Sequence, residues 1–418
     1  MAYAAYRGLT NALWVLARPW FAWKRSRGGA EWSERLGELP RLEGRPVWVH
    51  AASVGEVNAA GPVVRELSSR GLRVLLTTMT PTGQRTAAGA LGAEARTAFV
   101  PLDFTAAVGT ALERVRPRSL VLVESELWPN LLFGAMAAGV PAALVNGRLS
   151  KRTLGRAAGP LSPVREAALT LRVAACRDEE NAARFLELGL PRERVVVTGD
   201  TKFDALGGPL APAERESLRV SLGVEAAGRA VVFGSVRPRE ESAVVRAAAE
   251  LAPLARPVVA PRHMRRAAHI ERALTRSGVR VFSRSSGDAP RGPGAVLVDT
   301  TGELARLYGA GDAAFVGGTL GGYGGHNPLE PASRGVPVVL GPDTRNCEQV
   351  ARALVDGGGV VRITDGRELP EVLARLLTDD ELRTETARAA LRVVEAGRGA
   401  ASRSVAALER AGLLEVPR

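Results

Sequence analysis

Carboxylates placed to move a proton stand in two segments of this sequence. Glu56 closes His50-Ala51-Ala52-Ser53-Val54-Gly55-Glu56, and a second pair lies in Glu124-Ser125-Glu126-Leu127-Trp128-Pro129-Asn130. A carboxylate within hydrogen-bond reach of a hydroxyl can act as its general base. Ser53 and Glu56 also have the spacing of a helix capping box, and spacing alone favours the cap. Glu124 and Glu126 could equally complement the dipole of a following helix, with Leu127 and Trp128 read as packing residues. Lys202, in Gly199-Asp200-Thr201-Lys202-Phe203-Asp204, could stabilise negative charge on a leaving phosphate or a substrate carboxylate. It could equally form a surface ion pair with Asp200 or Asp204.

Two further segments have the chemistry of an anion site. Pro261-Arg262-His263 supplies a guanidinium, whose forked donors match a phosphate. An exposed Arg in an Arg-rich chain is the plain alternative. More informative is the run Gly317-Gly318-Thr319-Leu320-Gly321-Gly322-Tyr323-Gly324-Gly325-His326-Asn327-Pro328-Leu329-Glu330-Pro331-Ala332. It reads as a strand, a glycine loop and a helix with Pro328 at its first position. Its glycines would let backbone N–H groups approach a phosphate, and Glu330 could accept from ribose hydroxyls. It is neither a dinucleotide fingerprint opening a βαβ unit nor a Walker loop, since no Gly-Lys-Ser/Thr follows.

These residues need a scaffold that brings strand ends together. Short apolar runs alternate with amphipathic helical patterns along the chain. Strands are expected at 47–52, 73–78, 97–101, 119–124, 141–146, 171–176 and 195–199, then at 230–235, 257–261, 279–282, 295–299, 313–317, 336–340 and 360–363. Continuously apolar strands of this kind suit a parallel sheet covered on both faces. A Gly/Pro-rich stretch at 207–213 reads as a linker. The expectation is therefore an α/β chain of two doubly wound, Rossmann-like domains facing across a cleft, over 28–206 and 214–418. Helices from Asp379 onward have no further strand and could cross back to the first domain. Ligands in such sheets bind beyond the carboxyl ends of the strands, where each of the five segments falls.

Composition narrows the function classes. At 418 residues, with 46% hydrophobic and 24% charged residues, the chain is a two-domain globular protein. Cys176 and Cys347 form no CxxC, and the four histidines show no metal spacing, so neither a disulfide scaffold nor a metal site is expected. A net charge of +12 favours an anionic partner. Nucleic acid is not expected, because the arginines are dispersed and no basic run is interleaved with aromatics. Over residues 1–27, Tyr6, Leu9, Leu13, Leu16 and Trp20 recur at helical spacing, with Arg7, Asn11 and Arg18 on another face. Trp14, Phe21, Trp23, Lys24, Arg25 and Arg27 add aromatic bulk and positive charge. Arg18 and Pro19 interrupt the run before about 20 apolar residues accumulate, so an interfacial amphipathic helix fits better than a spanning one. A helix packed on the first domain and a short insertion anchor are the alternatives.

In combination these segments resemble the 3-deoxy-D-manno-octulosonic acid (Kdo) transferases. The matching stretches are Trp48–Glu56, Glu124–Asn130, Asn146–Ser150, Gly199–Asp204, Asp299–Leu304 and Gly317–Ala332, in family order across nearly the whole chain. The N-terminal aromatic helix also resembles that family's membrane-associating segment. The resemblance implies the GT-B architecture and an inverting transfer of Kdo from CMP-Kdo to a lipid A precursor, without metal or cofactor, in lipopolysaccharide biosynthesis at the cytoplasmic face of the inner membrane. It makes Glu56 the general base, against the capping preference, and Glu126 and Lys202 the stabilisers of the transition state. It draws the CMP site from Pro261, Arg262, Thr301, Gly302, Glu303, Asn327, Pro328, Leu329 and Glu330. Thr301 stands where many relatives carry Met. A GT-B transferase or epimerase using a UDP-sugar is the alternative, followed by a nucleotide- or lipid-binding protein without catalysis.

Overall fold

The computed structural model describes residues 2–415 except 158, 160, 161, 226, 227, 288 and 289. The chain divides into two compact units, one of residues 1–205 with 397–418 and one of residues 206–396.

The first unit carries a parallel seven-stranded sheet: β1 (Val47–His50), β2 (Val74–Thr78), β3 (Arg96–Phe99), β4 (Ser119–Val123), β5 (Ala142–Gly147), β6 (Val173–Cys176) and β7 (Val195–Val197). Its order is β3-β2-β1-β4-β5-β6-β7, so β1 and β4 flank the point where the winding reverses. Alternate residues feed opposite faces. Trp48, Leu75, Leu120, Leu122 and Leu144 pack one way, while Val47, Val49, Leu76, Val121 and Val123 pack the other. With both faces covered, the central strands are apolar over consecutive residues rather than every second one. The helix Ala400–Arg410 closes the second face through Ala401, Val405, Ala407 and Leu408. Asp204 fixes its start by accepting from the N–H groups of Gly399 (2.6 Å) and Ala401 (2.7 Å).

The second unit repeats the plan with β8 (Ala230–Val236), β9 (Arg256–Pro261), β10 (Val281–Ser283), β11 (Ala295–Leu297), β12 (Ala313–Val316), β13 (Val338–Leu340) and β14 (Val360–Arg362). The order is β10-β11-β9-β8-β12-β13-β14, all parallel, with β8 and β12 at the reversal. A strand lies within or against each expected run. Residues 207–213, read as a linker, include the start of the helix Pro212–Ser221, and Gly208 accepts from Arg334 at 2.8 Å within the second unit.

The N-terminal helix runs from Ala2 to Arg35, past residue 27, with a break at Gly29 (φ 55, ψ −140), a conformation open to glycine. Its row Leu9, Leu13, Leu16, Trp20 is exposed, Leu16 by 78%. Tyr6, grouped with that row by spacing, instead turns inward and donates to Asp103 Oδ2 at 2.9 Å. Beside it Tyr3 stacks on Phe133 at 3.8 Å, and Trp14 and Phe21 meet Phe104. Asp103 also accepts from the N–H groups of Asn130 and Leu131, which ties this helix to the loop carrying Glu126. No helix among the described residues is long and apolar enough to cross a membrane.

Candidate active site

The reversal point of the first sheet gathers three carboxyls. Glu56 lies in the first turn of the helix Val54–Ser69, just beyond β1, and Glu124 and Glu126 follow β4. Glu56 accepts from the Ala52 N–H at 2.6 Å and is also drawn down by the N–H of Ser53, the N-cap, which is half of a capping box; the Ser53 hydroxyl makes no capping bond. Cap and base are thus compatible roles for one side chain. Burial, then the neighbouring charge of Glu126, pushes the Glu56 carboxyl up to about 7, against the pull of the Ala52 N–H. A base titrating there is half ionised at neutral pH, where proton acceptance works well.

Glu126 behaves oppositely. Burial alone would raise it, but His50 and the Trp128 indole hold its carboxyl below the usual range. Trp128 Nε1 donates to Glu126 Oε2 at 2.7 Å, so this tryptophan, read as packing, orients a site carboxylate. Lys202 Nζ lies 2.6 Å from Glu124 Oε1, and neither Asp200 nor Asp204 is its partner in that pair. Asp204 caps a helix, and Asp200 accepts from the Lys202 N–H. Arg148 stands 3.9 Å from the other Glu124 oxygen.

Glu124 and Asn146 both hold left-handed backbone, at φ 59 and φ 52. For residues with a Cβ this costs about 1–2 kcal/mol each, a strain the surrounding sheet must offset. Asn146 sits where the β5–β6 register shifts, and its Oδ1 accepts from the Thr201 N–H at 3.0 Å. That bond seats the loop bearing Lys202.

The second sheet shows the same device. Ser235 has φ 56 where the β8–β9 register shifts, and Arg237 follows. Arg237 Nη1 lies 2.7 Å from His263 Nε2, and its guanidinium covers the Tyr323 ring at 4.7 Å. Arg262, after β9, is exposed, and its charge reaches both His326 and Glu330. Burial first, then Arg262 and Arg237, brings His326 down to about 4, so its ring is neutral at pH 7. Burial raises the Glu330 carboxyl, with Asn327 and Arg262 opposing. Pro261, Arg262, Asn327 and Glu330 thus gather with Arg237, His263 and His326 around one concentration of positive charge. Thr301, Gly302 and Glu303 follow β11, the neighbour of β9; the Glu303 carboxylate is engaged by Arg284 and Thr300.

The glycine run departs from its expected form. The helix after it, Leu329–Ser333, has five residues and Pro328 as its N-cap, and the first N–H, of Leu329, is met by Asn327 Oδ1 at 3.1 Å. Several loop N–H groups also have protein acceptors. Gly318 and Leu320 donate to Glu240, and Gly324 donates to Asp343. The loop is a shaped wall as much as an anion cradle. Glu240, His50, Trp128 and Arg237 escaped the sequence reading as site residues, though all four lie within a few residues of a strand end. Among the described residues no three His, Cys, Asp or Glu side chains are grouped so that they could hold a metal ion.

Two Rossmann-like units, with carboxylates at one reversal point and a basic, glycine-walled site at the other, have the GT-B architecture shared by glycosyltransferases and nucleotide-sugar epimerases. A crystal structure of UDP-GlcNAc 2-epimerase from Neisseria meningitidis shares the fold at TM-score 0.60 and 15% identity, covering 87% of this chain and all of that one. Residues 30–205 match the family model described as 3-deoxy-D-manno-octulosonic-acid transferase. The chain is 35% identical to the 3-deoxy-D-manno-octulosonic acid transferase of Bordetella pertussis over 97% of both chains, and 30% identical to that of Haemophilus influenzae over 85% of both. It belongs to the 3-deoxy-D-manno-octulosonic acid transferase family. The alternative reading as a UDP-sugar enzyme is not favoured, since the epimerase likeness is one of fold alone.

Proposed function

We propose that this chain transfers Kdo from CMP-Kdo to a sugar hydroxyl of a lipid A precursor. The observation that carries the reading is Glu56, a half-buried carboxyl held near 7 in a chain of this family. Glu56 takes the hydroxyl proton, the oxygen bonds to the anomeric carbon of Kdo, and the bond from that carbon to the CMP phosphate oxygen breaks. Positive charge developing on the sugar is met by the Glu126 carboxylate. Lys202, balanced by Glu124, stands as the cation for negative charge on the substrate. CMP is taken by Pro261, Arg262, Thr301, Gly302, Glu303 and Asn327–Glu330, with Arg237 added from the geometry.

Mass spectrometry of a lipid A precursor incubated with the protein and CMP-Kdo tests this. A gain of one or more Kdo masses, unchanged by EDTA, is the expected result. No gain with folded protein and intact donor would sink it.

The exposed row of the N-terminal helix supports docking on an anionic membrane. Lys24 lies over the Trp20, Trp23 and Trp32 rings at 5.3–5.5 Å, placing charge beside apolar surface as an interfacial helix requires. Replacing Leu16, Trp20 and Trp23 together by Ser is expected to cut co-sedimentation with vesicles containing anionic lipid by about tenfold or more. Kdo transfer to a detergent-dispersed acceptor should change far less. Unchanged vesicle binding would remove this helix as the membrane contact.

A further inference from the structure

His50 ends β1 with its side chain fully buried, although an imidazole has two polar nitrogens to satisfy. Its register partner on β2, Thr77, presents both its carbonyl oxygen and its hydroxyl to His50 Nδ1, each at 3.1 Å. The Thr77 hydroxyl oxygen also receives the Trp48 indole N–H at 2.9 Å. On the far side of the ring, Nε2 has no hydrogen-bond partner within reach among the described residues, and points toward Glu126 Oε2 at 3.7 Å. Trp128 packs edge-on against the imidazole at 5.1 Å and donates to that same oxygen.

Two hydrogen-bond arrangements satisfy Nδ1, and the carboxylate beside Nε2 decides between them. If the Thr77 hydroxyl donates to Nδ1, the one hydrogen of a neutral ring sits on Nε2. If Nδ1–H donates to the Thr77 carbonyl, a neutral ring would aim a bare lone pair at a carboxylate, which the first arrangement avoids. The favoured arrangement turns a hydrogen toward Glu126. We propose that His50 is a positioning residue, whose Nε2–H, together with the Trp128 indole, clamps one oxygen of Glu126 and leaves the other for the substrate.

Charge partition around the site supports this. The groups facing Glu126 are His50 on β1, Glu56 on the helix after it, and Glu124 after β4, the last paired with Lys202 and approached by Arg148. Lys202 is paired with Glu124 and the His50 Nε2 faces Glu126, while Glu56 is met by the backbone N–H groups of Ala52 and Ser53. Glu56 is driven upward while Glu126 is held down, which separates a base from a standing anion.

The inference rests on Glu126 taking part in the transfer proposed above, so its test has an arm independent of activity. The four histidines can be labelled with ¹⁵N in the intact chain, and His50 assigned by the signal missing in His50→Gln. In wild type, His50 Nε2 is expected to carry the ring hydrogen, and Glu126→Gln is expected to shift the tautomer signature of this ring. Identical His50 spectra across pH in wild type and Glu126→Gln would overturn the proposal, whether or not Kdo is transferred. In the activity arm, His50→Ala is expected to lose about 10²-fold in kcat with KM for CMP-Kdo within about twofold. Its acid limb should move to higher pH, and His50→Gln, which keeps an N–H donor, should restore part of the loss. Equal rates and unchanged pH profiles in both variants would also overturn it.

Discussion

Glu56→Gln is expected to lower kcat for Kdo transfer by about 10²–10⁴-fold while CMP-Kdo still binds, because the amide cannot accept the hydroxyl proton. In wild type, kcat/KM should rise with pH through about 7 and level off above it, as burial and Glu126 set the Glu56 carboxyl there. The same side chain gives a stability signature of defined sign. A carboxyl titrating near 7 in the fold and near 4.3 when unfolded holds its proton more tightly in the folded state. Its contribution to stability is fully present below the unfolded value and is lost as pH rises through 7. Glu56→Gln should therefore raise Tm at pH 8, by a few degrees at most, and change it much less at pH 5. Steady-state rates and calorimetry at the two pH values check both halves. Retained turnover would remove Glu56 as the base, and a Tm gain at pH 5 equal to that at pH 8 would contradict its raised titration.

The strands were legible because a parallel sheet buried on both faces makes each strand a short apolar run between Gly- and Pro-rich turns. The pairing order within the second sheet was not, since β11 inserts between β10 and β9 and nothing local to either strand specifies that. Site residues followed the same divide. Glu56 and Glu126 stood out as acids at strand ends. Their partners are set by the fold: Lys202 reaches Glu124 across 78 positions, past the nearer acids Asp200 and Asp204. Asp204 caps a helix almost two hundred residues further on, so the local pairing with Lys202 that the charge pattern left open is not the one formed. Left-handed backbone at Glu124 and Ser235 has no sequence signal, whereas Asn146 is of a type enriched there. Arg237 and Glu240 were reachable, however. They follow a strand at the reversal point of the second sheet just as Glu56 does in the first, and the ligand-site rule for open sheets applies to both.

Glu240→Ala is expected to weaken CMP binding by about tenfold or more and to destabilise the protein, although Glu240 is buried and carries no substrate role. Its Oε1 accepts from the N–H groups of Arg237 (2.8 Å) and Gly318 (2.6 Å), and its Oε2 accepts from that of Leu320 at 3.3 Å. One carboxylate thus staples the end of β8 to the start of the glycine loop. The two are packed so closely that a Cβ on Gly317 would lie 2.4 Å from the Ser235 carbonyl oxygen and 2.5 Å from Glu240 Oε1. Truncation to Ala leaves these N–H groups without acceptors, at about 1–3 kcal/mol for each that stays unsatisfied. The loop would then part from β8, and Arg237 and His326, which it holds beside Arg262, would lose their alignment. Glu240→Gln separates this role from one of charge. The amide oxygen can keep the two short bonds, and its NH₂ group replaces only the oxygen facing Leu320, the longest of the three. Calorimetric titration with CMP should show Glu240→Gln within a few-fold of wild type and Glu240→Ala far weaker, with Tm in the same order. Wild-type affinity in Glu240→Ala would mean that the glycine loop holds its shape without the staple and that the nucleotide site does not depend on it.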